Sequence, residues 1–406
     1  MPPSSEATRQ KHVEDLTQIL DHDSVRCSDD GTITALPSDT QQVSSILQFA
    51  NKENLTVEPR GGGTKQGWTL GRAPHVLLSL SRFNRLIDHA WQDLTCTVQA
   101  GCTWASLQQN LARHRQFVAL DQLFASRATI GGVLAVNDSG SLRQRYGSLR
   151  DLVIGMTLVL PDGTIAKTGG RVVKNVAGYD LSKLMIGSMG TLAVITEVNF
   201  RLYALPQHVR TYTIAATNAT RFTRLLSSIR GSHLLTQALQ VRRNSSKASL
   251  DISLTSHPAA QQDKLLSEMV CAEGLAMNEI AEASCFVRDH LSAEGATFIR
   301  AATLPSEVCG FADELQRLAE KGAAISTSQA IGLHNIALHG SCDEVTKIIH
   351  HLRALRSTSI TVLRADPGID AQPFTISTPV MSVMKAIKRN FDPNDILSPG
   401  KFFVAQ

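Results

Sequence analysis

The stretch Pro59-Arg60-Gly61-Gly62-Gly63-Thr64-Lys65-Gln66-Gly67 decides how this chain is read, and it follows directly on Leu55 to Glu58, a short run that reads as a strand. Three successive glycines carry no side chain to hold the main chain away from a ligand, and they take positive φ without strain. Their amides can converge on one anion, with Arg60, Thr64 and Lys65 adding charge or a hydroxyl donor around it. A diphosphate suits such a nest. The plainer alternative is an ordinary Gly-rich surface loop, and the distinction falls to the remaining residues.

At 406 residues, with 43% hydrophobic and 19% charged side chains, the chain has the length for two or three domains and the composition of a folded soluble protein. A net charge of +4 is too mild to argue for nucleic acid. The N-terminus, Met1-Pro2-Pro3-Ser4-Ser5-Glu6, has no basic-then-apolar leader, and no apolar run approaches the ~20 residues of a bilayer span, so a cytoplasmic protein without a transmembrane segment is expected. The seven cysteines include no CxxC pair, which predicts neither an iron–sulfur cluster nor a structural zinc in this chain. Any electrons it handles travel on an organic cofactor or pass to another chain.

Apolar residues recur at helical spacing from Glu6 to Leu20, and a second helix opens at Pro37-Ser38-Asp39-Thr40 with Ser38 or Asp39 as N-cap. Helix, strand and glycine loop therefore follow in that order. His75 to Leu80, Arg85 to His89 and Thr95 to Gln99 read as strands of one sheet, and Trp104 to His114 as a helix. A second small-residue segment, Thr129-Ile130-Gly131-Gly132-Val133-Leu134-Ala135-Val136-Asn137-Asp138-Ser139-Gly140, again lets a ligand lie close to the backbone, or is a Gly-rich turn in a packed domain. Leu152 to Leu160, the turn Pro161-Asp162-Gly163-Thr164 and Ile165 to Thr168 form a hairpin. Lys174-Asn175-Val176-Ala177-Gly178-Tyr179-Asp180 leads into a short helix capped by Asp180. Thr191 to Tyr203 is a strand buried on both sides at its start.

Between Arg201 and Leu250 there are eight Lys or Arg and no Asp or Glu, which is either a solvated face or an electropositive surface for an acidic partner or anionic substrate. Ser377-Thr378-Pro379 opens a last helix, and Phe391-Asp392-Pro393-Asn394-Asp395-Ile396-Leu397-Ser398-Pro399-Gly400-Lys401-Phe402 is too rigid a tail to dangle, so it is expected to return to the first domain. His334 and His339, at i and i+5, diverge on any regular element, as do adjacent His350 and His351, and no metal site is expected.

In order, P-R-G-G-G-T after a helix and strand, T-I-G-G…N…G, L-P-D-G, G-T-L-x-V-I-T and a terminal F-D-P-N…P-G-K resemble the flavoproteins of the vanillyl-alcohol oxidase and D-lactate dehydrogenase type. Within them, the Lys174 to Asp180 segment and the short, motif-poor second domain resemble the FAD-binding E subunit of glycolate oxidase. The resemblance implies an α+β fold: a PCMH-type FAD-binding domain of two α/β subdomains at residues 37–206, after an N-terminal helix and link at 1–36. A smaller α/β cap domain follows at 207–376, and a C-terminal segment at 377–406 packs back on the FAD domain. It implies FAD contacts at Pro59, Arg60, Gly61, Gly62, Gly63, Thr64 and Lys65 for the diphosphate. Thr129, Ile130, Gly131, Gly132, Asn137 and Gly140 would line the flavin and ribityl chain, Gly190, Thr191, Val194 and Ile195 the adenine end, and Lys401 the isoalloxazine edge.

Thr64 stands where covalently flavinylated relatives have a His, so FAD is expected to be noncovalent, and Ser398 stands where relatives have Asn. The function implied is that of an FAD-bearing subunit of a glycolate or similar 2-hydroxy-acid dehydrogenase complex, an oxidoreductase that works with a sister flavoprotein and an iron–sulfur subunit. Such a subunit would be cytoplasmic or peripheral at the inner membrane through its complex. A self-sufficient FAD-dependent dehydrogenase and a non-catalytic FAD-binding scaffold are the alternatives, and no residue is nominated as catalytic base.

Overall fold

The computed structural model describes residues 6–69, 71–170, 180–244, 246–255, 259–281, 286, 288–292, 295–319, 324–366, 368–369 and 378–401. The chain divides into two compact units, one of residues 1–138, 148–205 and 376–406, the other of residues 139–147 and 206–375.

Among the described residues the first unit contains two larger sheets and one two-stranded pair. Strands β1 (Val25–Cys27), β2 (Ile33–Ala35), β3 (Val57–Arg60) and β4 (Val76–Ser79) form one, in the order β1-β2-β4-β3, with β4 parallel to both β2 and β3. Its core is shared with helices α1 (Glu6–Ile19) and α2 (Thr40–Lys52), through Leu16, Val43, Ile46 and Leu47 packed on Val57, Val76 and Leu78. The start of α2 is fixed by reciprocal capping. Asp39 accepts from the Gln42 amide at 2.8 Å while the Gln42 side chain accepts from the Ser38 amide at 2.7 Å. Strand β3 begins later than expected and runs through Pro59, because Pro59 lies on the sheet edge where its missing N–H removes no ladder bond.

The second sheet is antiparallel, in the order β5 (Leu86–Ala90), β6 (Thr95–Gln99), β10 (Val194–Arg201), β8 (Val153–Val159), β9 (Ile165–Gly169). The short strands β7 (Gln116–Phe117) and β11 (Tyr203–Ala204) pair with each other. The three strands expected in one sheet are thus split: β4 joins the first sheet, β5 and β6 the second. The Leu80–Phe83 turn, closed by the Phe83 amide on the Leu80 carbonyl, redirects the chain between them, and alternation of apolar residues carries no information about the partner strand. Likewise β10 is shorter than the expected Thr191 to Tyr203. Thr191 is held in a turn on the Ser188 carbonyl, and Tyr203 leaves to pair with Phe117. Helices α3 (Trp104–Ala112) and α4 (Ile130–Ala135) pack into the core of this sheet through Leu107, Leu111, Val133 and Leu134.

The C-terminal tail returns to the first unit. The Val57 amide donates to Ile396 at 2.7 Å and the Ser398 amide to Val57 at 2.9 Å, so the tail covers the open edge of β3 while Ile396 and Leu397 enter the core. The Lys174 to Tyr179 stretch, Cys285 and Ser377 lie outside the described residues.

The second unit is an eight-stranded sheet of β12 (Val209–Ala216), β13 (Thr236–Arg243), β14 (Ala248–Thr255), β15 (Met277–Ile280), β16 (Thr297–Ala302), β17 (Ala324–Gln329), β18 (Leu333–Leu338) and β19 (Ser359–Arg364), in the order β15-β12-β14-β13-β17-β18-β16-β19. Helices Thr223–Arg230, Ala259–Ala272, Val308–Leu318 and Cys342–Ala354 supply the apolar side of its two cores. Residues 139–147 belong to this unit rather than to the 37–206 segment: Ser141 donates to Gln240 at 2.8 Å and Gln329 to the Ser139 carbonyl at 3.0 Å.

Part of the basic stretch from Arg201 to Leu250 is paired within this unit. Arg210 pairs with Asp263 at 2.6 Å, Arg242 with Asp251 at 2.5 Å and Arg243 with Asp313 at 3.2 Å, while Arg230 donates to the Pro305 carbonyl at 3.0 Å. Sheet and helix packing bring acids from later in the chain back onto these arginines. Arg201, Arg221, Arg224 and Lys247 remain exposed, as the solvated-face alternative has it.

His334, on β18, is fully buried and lies between the Ser328 hydroxyl at 2.7 Å and the Thr303 hydroxyl at 2.9 Å, with no carboxylate to stabilise a charged ring. Burial pushes its pKa from 6.5 down to about 3, so the unfolded chain takes up a proton that the folded one refuses. This contribution to stability is full above pH 6.5 and is lost as pH falls toward 3. Urea titrations of the wild type and His334→Gln should show the wild type losing roughly 2 kcal/mol more than the variant between pH 7 and pH 5. Parallel pH profiles would contradict the assignment.

Candidate functional site

The first unit contains an open cleft with a cavity volume of about 100 Å3. Pro59 to Gln66 form one wall, Thr129, Gly131, Gly132 and Ala135 a second, and Ser188 to Gly190 with Ala193 and Ile195 a third. Lys401 and Glu58 stand at its side.

The glycine loop owes its shape to packing as much as to torsion. Only Gly63 adopts positive φ, at +68°. A Cβ at Gly62 would meet the Arg127 carbonyl oxygen at 1.9 Å, and one at Gly61 the Thr129 hydroxyl at 1.9 Å. Side chains at these two positions are thus excluded by the neighbouring loop of the protein, a different reason from the expected close approach of a ligand. The consequence for the nest is the same. Among the described residues the amides of Gly61, Gly62, Gly63 and Thr64 donate to no acceptor, and all four residues are half-buried or exposed along the cleft. Arg60 lies with its guanidinium against Gly63 and has no carboxylate partner among the described residues.

Lys65 does something else. Its ammonium, 5% exposed, turns inward to Asp138 at 3.5 Å and to the Leu123 carbonyl at 3.2 Å, over the rings of Trp68 and Phe124. Asp138, fully buried, also accepts from the Leu123 amide at 2.8 Å. Lys65 therefore ties the glycine loop to the loop that precedes α4, and its charge is spent on Asp138 rather than on an anion in the cleft.

On the second wall, the Ile130 amide donates to Cys102 at 2.9 Å and the Gly131 amide to Ala100 at 2.8 Å, which seats the first turn of α4 on the end of β6. Gly131 thus contributes bare surface to the cleft and no free amide. Ile130 itself is buried in the core. The Thr129 hydroxyl is buried and has no hydrogen-bond partner, an orphan beside Gly61 and Gly132. Asn137, at φ +50°, is the left-handed residue that ends α4 and does not line the cleft. Gly140 belongs to the other unit. On the third wall Gly190 and Ile195 line the cleft, whereas the Thr191 hydroxyl is used on Ser188 and Val194 packs into the first core. Lys401 is paired with Glu58 at 2.7 Å, and Glu58 also accepts from Gln66 at 2.8 Å.

Residues that sequence reasoning missed include Ala100, Ala135, Ser188 and Met189. Ala100 follows a strand and precedes a glycine, the one signal that could have marked it. The Met189 amide bonds Ala135 at 2.8 Å, a contact between segments far apart in sequence that leaves no local trace. Cys102, whose carbonyl accepts from the Ile130 amide, is buried, and burial pushes its thiol up, which disfavours a thiolate nucleophile. The arrangement suits an elongated ligand with an anionic bridge: free amides, an unpartnered Arg60 and an orphan hydroxyl around a floor of small residues.

Residues 32–169 match the family model described as an FAD binding domain. Over 90% of the chain and 88% of that protein, the sequence is 27% identical to glycolate oxidase subunit GlcD of Bacillus subtilis. It is 40% identical over 177 residues to the mitochondrial D-lactate dehydrogenase [cytochrome] of Arabidopsis thaliana, but this match covers 43% of the chain and only 31% of that protein. In fold it is similar to 4-ethylphenol oxidase from Gulosibacter chungangensis, with a TM-score of 0.79, 14% identity and coverage of 99% of this chain and 98% of that one. It is similar also to p-cresol methylhydroxylase, with a TM-score of 0.76, 14% identity and 98% of each chain covered. Residues 32–169 thus carry an FAD binding domain, and the chain shares its fold with these two flavin oxidoreductase structures.

The packing at Gly62 is testable against a neutral neighbour. Gly62→Ala drives a Cβ into a backbone carbonyl, whereas nothing lies within 4 Å of a Cβ at Gly67. Fluorescence titration with FAD should show at least a tenfold loss of affinity, ~1.4 kcal/mol, for Gly62→Ala and no change for Gly67→Ala. Equal affinity in both variants would contradict this description of the loop.

Proposed function

We propose that this chain is the FAD-binding subunit of a glycolate or related 2-hydroxy-acid dehydrogenase complex, in which electrons leave through the flavin to a partner iron–sulfur subunit and a sister flavoprotein takes part in the chemistry. The observation that carries the proposal is the cleft lined by four residues with unshared amides and by Thr129 with its orphan hydroxyl, within a chain that aligns over nearly its whole length with a protein named as a glycolate oxidase subunit.

Gly61 to Thr64 would hold the diphosphate through their amides, with Arg60 completing the charge and Thr129 donating from beside Gly61. When bound, FAD supplies the hydride acceptor for the carbinol carbon of the hydroxy acid. The chain's own residues bind and orient the cofactor. Lys65 and Lys401 are each neutralised by a carboxylate, Asp138 and Glu58, so neither side of these pairs is free to take the hydroxyl proton. This supports placing the proton acceptor, and part of the turnover, on a partner. The absence of any CxxC spacing supports placing the iron–sulfur centre on another chain. Thr64 at the loop supports noncovalent FAD.

A self-sufficient dehydrogenase is the rival reading, favoured by the higher identity to a D-lactate dehydrogenase over a shorter stretch of 177 residues. Two measurements separate the readings. Acid precipitation of the purified chain should release all its FAD into the supernatant, and flavin retained in the pellet would refute noncovalent binding. With glycolate or D-lactate and an artificial acceptor, the isolated chain should turn over at least ~100-fold more slowly than the assembled complex, the scale of a missing general base. Equal rates would favour the self-sufficient enzyme. Among the described residues no helix is long and apolar enough to cross a membrane, which fits attachment, if any, through the complex.

A further inference from the structure

The residues that hold the C-terminal tail are the same ones that hold two walls of the cleft. The Lys388 ammonium, 12% exposed, donates to the Thr191 carbonyl at 3.0 Å and to the Leu397 carbonyl at 3.0 Å, and pairs with Asp392 and with Asp395 at 3.2 Å. Asp392, fully buried, accepts from the Ile396 amide at 3.0 Å and the Leu397 amide at 2.8 Å, which shapes the turn that feeds the tail onto β3. Thr191 follows Gly190, a lining residue of the third wall, and Val57, which the tail bridges, precedes the glycine loop.

Ser398 lies where the two walls meet. A Cβ at Gly190 would be 3.6 Å from its hydroxyl and 3.8 Å from the ring of Pro59. Ser398 is 3% exposed, left-handed at φ +45°, and its hydroxyl has no partner. Beyond it, Lys401 reaches Glu58, and the Pro399 carbonyl accepts from the Arg72 amide at 3.1 Å.

We infer that residues 388–401 are a buckle joining the glycine-loop wall to the Gly190 wall, so that tail docking and cofactor binding form one coupled equilibrium in which Lys388 is the positioning residue. The inference rests on the reading of the cleft as an FAD site. Undocking the tail removes the strand-edge bonds at Val57, the Lys388 bond at Thr191 and the Lys401 partner of Glu58 together, and both walls lose their mutual spacing. Cofactor bound only to the docked form must then hold the tail closed, in proportion to its concentration over Kd.

The experiment is tryptic cleavage after Lys388 and Arg389 in the full chain, followed by mass spectrometry with and without FAD. Cleavage after the exposed Arg356 in the other unit serves as internal reference. Where opening is fast relative to cleavage, the rate follows the open population, so FAD at 100 times its Kd should slow cleavage of the tail about 100-fold and leave Arg356 unchanged. Lys388→Met lines no part of the cleft, yet it should weaken FAD binding at least about tenfold and remove most of the protection, and Lys388→Arg should recover part of both. If the wild type binds FAD but tail cleavage slows less than about threefold, the buckle is refuted and the FAD reading stands. If the wild type binds no FAD in a fluorescence titration, the FAD reading fails and takes the buckle with it.

Discussion

The cleft depends on the contact between two backbones that are distant in sequence. Gly61 and Gly62 lie so close to Arg127 and Thr129 that no Cβ fits between them, and the buried Lys65 adds bonds to the Leu123 carbonyl before α4 and to Asp138 after it. The amides of Gly61 to Thr64, along the cleft, have no acceptor among the described residues. Two sparsely hydrated charges at Lys65 and Asp138 are costly to bury, and losing either partner would cost about 3–5 kcal/mol, more than a surface pair contributes. The pair therefore acts as a condition on the loops' geometry more than as a source of net stability.

The rest of the first unit supplies the two bodies that this contact joins. The sheet carrying β3 presents the glycine loop at the end of an edge strand. The antiparallel sheet presents α4 at the end of β6 and Ile195 on β10. An open edge at β3 would be a liability for any sheet, and the tail closes it with main-chain bonds at Val57. Closing the edge from the far end of the chain also means that the cleft is complete only once the last residues of the first unit have been made and docked.

Much of this was legible in the sequence. The loop, its preceding helix and strand, the second small-residue segment, the hairpin turn and the rigid tail are all local features, encoded by glycine, proline and capping residues. What could not be read is non-local. Lys65 beside three glycines reads as a phosphate ligand, and only the fold reveals Asp138 as its partner. Asn137 reads as a donor to a ligand, whereas its left-handed torsion ends a helix. Arg210, Arg242 and Arg243 read as parts of a basic face because their acids, Asp263, Asp251 and Asp313, come later in the chain. The division of β4 from β5 was hidden for the same reason, since a strand's alternation specifies its faces and not its neighbours.

The most direct test of the account is hydrogen exchange at the loop amides, read on a peptide covering residues 59–66 with and without FAD. The account predicts that exchange at Gly61 to Thr64 is fast in the free chain and strongly slowed by FAD, with ADP giving partial protection through its diphosphate alone. Protection that appears elsewhere in the first unit while these four amides stay unchanged would contradict it.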